Sequence, residues 1–397
     1  MEMELTSTVA RKAKANISFF DLQAQYAKIR IEILQAVESV LESQHFILGQ
    51  QVELFEQETA AYVNVPFAVG CASGTDALYL ALCALGIGPG DEVITTPFTF
   101  VATAGSIART GAKPVFVDII PETFNINPAH IEQAVTTNTR AIIPVHLFGL
   151  SADMDPILAI AKKHSLSVIE DAAQAIGSTY HGKKIGSIGD FGCFSFFPSK
   201  NLGCAGDGGM VTTLHKPTAD RLNLLRAHGT RKKYHSEIIG MNSRLDALQA
   251  AILRVKIKHL DSWTKDRQER AALYSELFDQ YNLSNIIVAP QSPSQFGHVY
   301  NQYVIRCENR DSLRNYLQDR GIPTAVYYPE PLHLQPAFDY LNYEKGSMPE
   351  SEKACDNSLA LPVYPELPLE DQERIVQTIA DFYKSKGHNA KGNENHE

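Results

Sequence analysis

Residues 92–172 hold four short apolar runs, EVITT (92–96), KPVFVDI (113–119), AIIPVH (141–146) and LSVIEDA (166–172). Helix-length polar or amphipathic stretches separate them, among them MDPILAIAKKH (154–164). Short buried runs alternating with helices predict a mainly parallel sheet covered on both faces. Two further runs, GCFSFF (192–197) and GGMVTT (208–213), lie too close together for a helical crossover. They predict local antiparallel pairing, and so a mixed sheet.

Upstream, residues 21–42 place Ile29, Ile33, Val37 and Leu41 at helical spacing, and a second helix is expected over 50–63. SGTDALYLALCAL (73–85) reads as a helix capped by Ser73 or Thr75, closed by the turn GIGPGDE (86–92). Downstream, Leu245, Leu248, Ile252, Val255 and His259 share one face of a single helix expected over 244–262. After it come an expected strand 303–306, helix 311–319, strand 324–328 and a final helix from about 368 to 385. This divides the α/β chain into a large domain, 17–255, a smaller C-terminal α/β domain, 256–386, and a disordered polar tail, 387–397.

The chain has 397 residues, enough to bury a large core. A formal charge of -9 gives no general attraction to nucleic acid, although a local basic pocket can still bind a phosphorylated small molecule. The six cysteines form no CxxC pair, which fits reduced thiols in the cytoplasm. No apolar run reaches the roughly 20 residues of a membrane helix, and MEMELTSTVARKAKANIS (1–18) lacks the apolar centre of a secretion signal. Neither a membrane partner nor a metal site is expected.

Lys200 stands out in SFFPSKNLGCAGDGG (195–209), between aromatic residues and a glycine-rich loop. A lysine in a partly apolar pocket has its pKa lowered, and its neutral amine can then form a Schiff base. That chemistry suggests pyridoxal phosphate, whose pyridine nitrogen needs a carboxylate. Asp171 ends the run LSVIED (166–171), where a parallel strand delivers its last residue to the ligand crevice. The phosphate needs a cradle, and Gly74 and Thr75 open a helix whose free N–H groups suit an anion, with the Ser195 hydroxyl nearby. Phe100 is a candidate flat partner for the ring. Singly, Asp171 is equally a helix cap, Gly74 and Thr75 a helix start, and Phe100 core; one cofactor unites them.

These residues sit in segments that resemble the DegT/DnrJ/EryC1/StrS family of sugar-nucleotide aminotransferases. The resemblance is carried by FDLQAQY (20–26), ASGTDAL (72–78), GPGDEVITTPFTFVATA (88–104), EDAAQAIGS (170–178), FFPSKNLG (196–203), NSRLDALQAAIL (242–253) and PTAVYYPEPLHLQPAF (323–338). It implies the fold type I of pyridoxal-phosphate-dependent transferases, with the large domain binding the cofactor. It further implies that Lys200 bonds the cofactor and carries protons, Asp171 pairs with the pyridine nitrogen, and Gln174 meets the ring hydroxyl. Gly74, Thr75 and Ser195 match phosphate ligands, and Phe100 the stacked aromatic. The family's homodimer has shared active sites, so Asn242 is expected to reach the partner's phosphate, with Arg244 near the substrate. Tyr327 and Tyr328 fall on the sugar-nucleotide side, although some relatives carry histidine where this chain has Tyr327.

The implied reaction moves an amino group from glutamate, leaving 2-oxoglutarate, to a keto-sugar nucleotide. The later segments look closer to members acting at C3 of UDP- or dTDP-linked 3-keto sugars than to those acting at C4 of 4-keto-6-deoxy sugars. A non-enzymatic regulator is the contrasting class, disfavoured by the presence of Lys200, Asp171, Ser195 and Asn242. Local readings also stay open. Asn242 is equally a cap of the 244–262 helix, and His146 a structural residue. The basic run RAHGTRKKYH (226–235) is either a solvated loop or a face for a nucleotide diphosphate.

Overall fold

The computed structural model describes residues 16–386; the expected polar tail at 387–397 lies outside them. Seven strands form the main sheet, in the spatial order Phe67–Cys71, Gly209–Thr213, Phe191–Ser195, Ser167–Asp171, Thr139–Ile142, Glu92–Thr95, Lys113–Phe116. The five strands from Phe191–Ser195 to Lys113–Phe116 run parallel. Gly209–Thr213 pairs antiparallel with both of its neighbours, so the sheet is mixed as its sequence pattern predicts.

Successive residues of these strands point to opposite faces. Ile94, Ile142, Val168, Phe194 and Met210 pack in one buried cluster. Their neighbours Val93, Ala141, Ile169, Cys193 and Val211 pack in another across the sheet. Both faces are therefore dry, which is why these runs carry no polar alternation. A short polar side chain caps three of the helix starts, those headed by Asp21, Ser73 and Asn127. Asp21 Oδ1 accepts the Gln23 and Ala24 N–H groups at 3.0 and 2.9 Å before the helix Leu22–Ser43. In that helix Ile29 and Ile33 are buried as expected, but Val40 takes the inward place and Leu41 is exposed.

A second core surrounds the three antiparallel strands Ile287–Val288, Tyr303–Cys307 and Ser358–Leu361. Tyr274 and Phe278 of the helix Leu260–Gln280, Leu313 and Leu317 of Arg310–Gln318, and Ile375 and Ile379 of Leu369–Ser385 fill it. Asp118, just beyond the strand Lys113–Phe116, ties the two parts together. Its carboxylate accepts the N–H groups of Glu350 and Ser351, both at 2.9 Å, at the start of the helix Pro349–Asn357. An acid suits the positive end of a helix.

Two expectations are corrected. The single helix over 244–262 is instead Ala247–Lys256, a 3₁₀ turn Ile257–His259, and the separate helix Leu260–Gln280. Asp246 occupies its N-cap position, so Asn242 does not cap it; the Asn242 backbone bridges to Ala227. The expected strand 324–328 makes only one bridge, Ala325 to Ala360. Pro323 and Pro329 bracket it, and proline lacks the N–H that a ladder needs. The third strand of that sheet comes from Ser358–Leu361, which the sequence pattern did not reveal.

Candidate active site

The carboxyl ends of the main-sheet strands open onto a cavity of about 630 Å³. Lys200, Asp171, Gln174 and Ser195 line it together with Gly74, Thr75, Phe100, Tyr327 and Tyr328. Nine of the expected site residues thus meet in one place, drawn from five separate segments of the chain.

Asp171 closes the strand Ser167–Asp171 and is buried. Its Oδ2 accepts the Thr103 hydroxyl at 2.7 Å, and its Oδ1 accepts the Ala173 N–H at 3.2 Å. Burial pushes the carboxyl pKa up, while these donors, Lys200 and His146 pull it down. A cation at this carboxylate would relieve the cost of burying it. Thr103 in turn meets the Thr99 hydroxyl at 3.0 Å.

Lys200 sits in the turn after the strand Phe191–Ser195, with its N–H donating to Phe197 O at 2.9 Å. Burial lowers its amine to about 8, against the opposing pull of Asp171. A substantial neutral fraction near physiological pH follows, as a nucleophile and proton carrier requires.

The anion cradle is built from close packing. A Cβ on Gly74 would stand 2.6 Å from Ser195 Cβ, so only glycine lets the helix Gly74–Leu85 start against Ser195. Ser73 accepts the Asp76 N–H on its Oγ at 3.1 Å and the Ala77 N–H on its carbonyl at 2.9 Å. The N–H groups of Gly74 and Thr75 then head the first turn beside Ser195, a site suited to a phosphate. The Phe100 ring is exposed on the cavity wall, 6.5 Å from the Tyr328 ring. Gln174 is held by the Phe148 N–H, which donates to its Oε1 at 2.7 Å, leaving its amide nitrogen toward Tyr328 Oη at 3.4 Å.

Asn242 and Arg244 do not line this cavity in their own chain; Asn242 is solvent-exposed. The basic run is split. Arg226 is buried, paired with Glu56 and donating to Gly70 O at 2.6 Å, so it is structural. Arg231, Lys232, Lys233 and His235 stand exposed on a hairpin whose strands are Thr230–Lys232 and His235–Ser236. His146 is wholly buried. Its Nδ1 accepts the Ala152 N–H at 3.0 Å, which leaves Nε2–H to donate to Glu170 at 3.1 Å. It is structural.

Thr103 is the site residue that sequence reasoning missed. The signal was present in TTPFTFVATA (95–104), where Thr99 and Thr103 are four residues apart at a helix start. Ser199, Asp207 and Gln302 also line the cavity. Among the described residues no helix is long and apolar enough to cross a membrane, and no acidic, histidine or cysteine cluster could hold a metal ion.

The profile of the DegT/DnrJ/EryC1/StrS aminotransferase family matches residues 27–380. The chain belongs to that family. It is 52% identical, over 93% of its length and 99% of the relative's, to the "Pleiotropic regulatory protein" of Geobacillus stearothermophilus. To the UDP-N-acetyl-3-dehydro-alpha-D-glucosamine 3-aminotransferase of Acidithiobacillus ferrooxidans it is 47% identical, over 91% of this chain and 97% of that one. The solved structure of S. venezuelae DesV, in complex with a ketimine intermediate, superposes with a TM-score of 0.90 at 42% identity, covering 93% and 99% of the two chains. NtdA from Bacillus subtilis, solved with its bound cofactor PMP, superposes with a TM-score of 0.88 at 33% identity, covering 94% of this chain and 86% of that one. This family member therefore has the fold of type I pyridoxal-phosphate enzymes, and it is an aminotransferase.

Proposed function

We propose that the protein is a pyridoxal-phosphate-dependent aminotransferase that passes an amino group from glutamate to C3 of a UDP- or dTDP-linked 3-keto sugar. The observation that carries the reading is the meeting of Lys200, Asp171 and the Gly74–Ser195 cradle in one 630 Å³ cavity. The residues fit the cofactor: a buried carboxylate for a ring cation, and a glycine-tight helix start for a phosphate. Asp171 would hold the ring nitrogen, Gly74, Thr75 and Ser195 the phosphate, Phe100 one ring face, and Gln174 the ring hydroxyl.

Bound there, pyridoxal phosphate supplies an electron sink for negative charge developing at the substrate carbon. Asp171 stays ionised against that ring and keeps its nitrogen protonated, helped by the Thr103 hydroxyl. Lys200 Nζ, partly neutral at about 8, removes a proton from the substrate carbon and returns one during the second half-reaction. Tyr327 and Tyr328 offer the sugar-nucleotide wall.

The C3 assignment draws on relatives named for 3-keto substrates carried on UDP and for 3-amino sugars carried on dTDP. We assign Asn242 and Arg244 to the cavity of a second subunit in a homodimer, supported by their absence from the cavity of their own chain. We divide the chain into a cofactor domain, 17–255, and a smaller domain, 256–386, and place the protein in the cytoplasm, where its six free thiols fit a reducing environment. Reverse transamination of 3-amino and 4-amino sugar nucleotides with 2-oxoglutarate tests the assignment. Turnover of the 3-amino panel is expected, and turnover of 4-amino sugars alone overturns C3.

A further inference from the structure

The segment between the strands Phe191–Ser195 and Gly209–Thr213 carries Lys200 but no regular secondary structure. Its position must therefore come from side chains and a few backbone bonds. Phe196 N–H donates to Gly208 O and Cys204 N–H to Phe196 O, each at 2.8 Å, closing the base of the loop. Asn201 Nδ2 donates to Val299 O at 2.9 Å on the side of the smaller core. The Cys204 thiol adds bonds within the loop, to Phe196 O at 2.9 Å and Gly206 O at 3.1 Å, and two further holds come from one helix, Ala247–Lys256. Gln249 Oε1 accepts the Ala205 N–H at 2.8 Å, and Lys256 Nζ donates to Gly203 O at 2.5 Å.

Gln249 and Lys256 stand two turns apart on the same helix face. They grip opposite polarities of one short turn, a donor at Ala205 and an acceptor at Gly203. That turn has little freedom of its own: a Cβ on Gly203 would lie 2.3 Å from Pro198 O. A displacement of Gly203 is therefore passed back to the 198–200 backbone rather than absorbed. Lys256 is half-buried, burial lowers its amine to about 8, and the Cys204 thiol is the group that opposes this shift. A cation held at such a place is retained by the carbonyl it serves.

We propose that Gln249 and Lys256 are positioning residues for the reaction, together fixing the 203–205 turn and through it the reach of the Lys200 amine. The inference rests on the reading of Lys200 as the reacting amine. Neither residue lines the catalytic cavity, so each acts through the loop. Small misplacements of a reacting group cost rate more than binding.

The test compares Lys256→Met, Lys256→Arg and Gln249→Leu with wild type as cofactor-loaded enzymes. Three quantities are read: kcat and KM for the amino donor, the pH midpoint of the bound cofactor's visible absorbance, and melting temperature. Lys256→Met is expected to lower kcat by about tenfold with KM within about twofold, and to move the absorbance midpoint by about half a unit or more. Lys256→Arg, which keeps a cationic donor, restores most of both, and Gln249→Leu lowers kcat by about threefold. Wild-type kcat and midpoint in Lys256→Met overturn the proposal, whatever its melting temperature. If Lys256→Met does not fold, Gln249→Leu decides: unchanged kcat and midpoint overturn the proposal. Wild-type protein without a cofactor absorbance is a different result, and removes the reading of Lys200 on which the proposal rests.

Discussion

Replacing Thr103 by valine removes one hydroxyl from a fully buried position and leaves the shape of the side chain almost unchanged. In the native protein that hydroxyl donates to Asp171 Oδ2 at 2.7 Å and meets Thr99 at 3.0 Å. A hydrogen bond to a charged acceptor is worth about 1.5–3 kcal/mol. At 1.36 kcal/mol per unit, its loss raises the Asp171 pKa by about 1–2 units. The shift adds to the upward push that burial already gives this carboxyl. Less of Asp171 is then ionised at the acid end of the working range, and its hold on a protonated ring nitrogen weakens. The acid limb of kcat/KM against pH is expected to move up by about one unit, a fall of about tenfold at any pH on that limb. Thr103→Ser keeps the hydroxyl and is expected to stay within about threefold of wild type. The assay is steady-state transamination of Thr103→Val, Thr103→Ser and wild type across the pH range. A Thr103→Val profile that overlays wild type would refute the reasoning, because the hydroxyl would then contribute nothing to the Asp171 charge.

Gly74→Ala places a Cβ 2.6 Å from Ser195 Cβ. Overpacking of this kind costs about 1–3 kcal/mol, so cofactor affinity should fall at least about fivefold in an equilibrium titration; unchanged affinity would remove the cradle. The lowered Lys200 amine predicts a pH-dependent stability of the cofactor-free protein. Between about 8 and the usual 10.5 the unfolded chain binds more protons at this lysine than the native one. Wild type should therefore gain stability relative to Lys200→Met as pH rises through that window, and lose it again as pH falls towards 8. Urea unfolding midpoints at neutral pH and near pH 10 check the trend, which fails if the difference stays flat. Glu56→Gln leaves the buried Arg226 with a neutral partner and should lower stability by about 3 kcal/mol in urea unfolding; a loss too small to measure would make that pair a surface contact in energetic terms.

The sheet was legible because its strands obey one rule. Val93 and Ile94, or Val168 and Ile169, face opposite cores, and a strand buried on both sides shows as an unbroken apolar run. The site was legible where chemistry demands a residue type: a lysine amine, a carboxylate at a strand end, a glycine at a helix start. It was less legible where a residue acts through another. Thr103 reads as an ordinary helix residue until the fold brings it to Asp171, and Gln249 and Lys256 read as amphipathic helix surface until the Lys200 loop lies against them. The smaller core was the least legible part. Ser358–Leu361 gains its strand character from pairing with Tyr303–Cys307, a partner distant in sequence, while residues 324–328 have strand composition but meet that ladder at the single bridge Ala325–Ala360. The helix expected over 244–262 was misplaced because periodicity carries through a 3₁₀ turn without a visible break.

The central claim is that the Lys200 amine is the group that bonds the cofactor. Borohydride reduction of the cofactor-loaded protein, followed by peptide mass mapping, tests it directly. One pyridoxyl-modified peptide is expected, carrying the label on Lys200, and no label together with no visible cofactor absorbance in Lys200→Ala. A label on another lysine such as Lys256, or wild-type absorbance in Lys200→Ala, would contradict it.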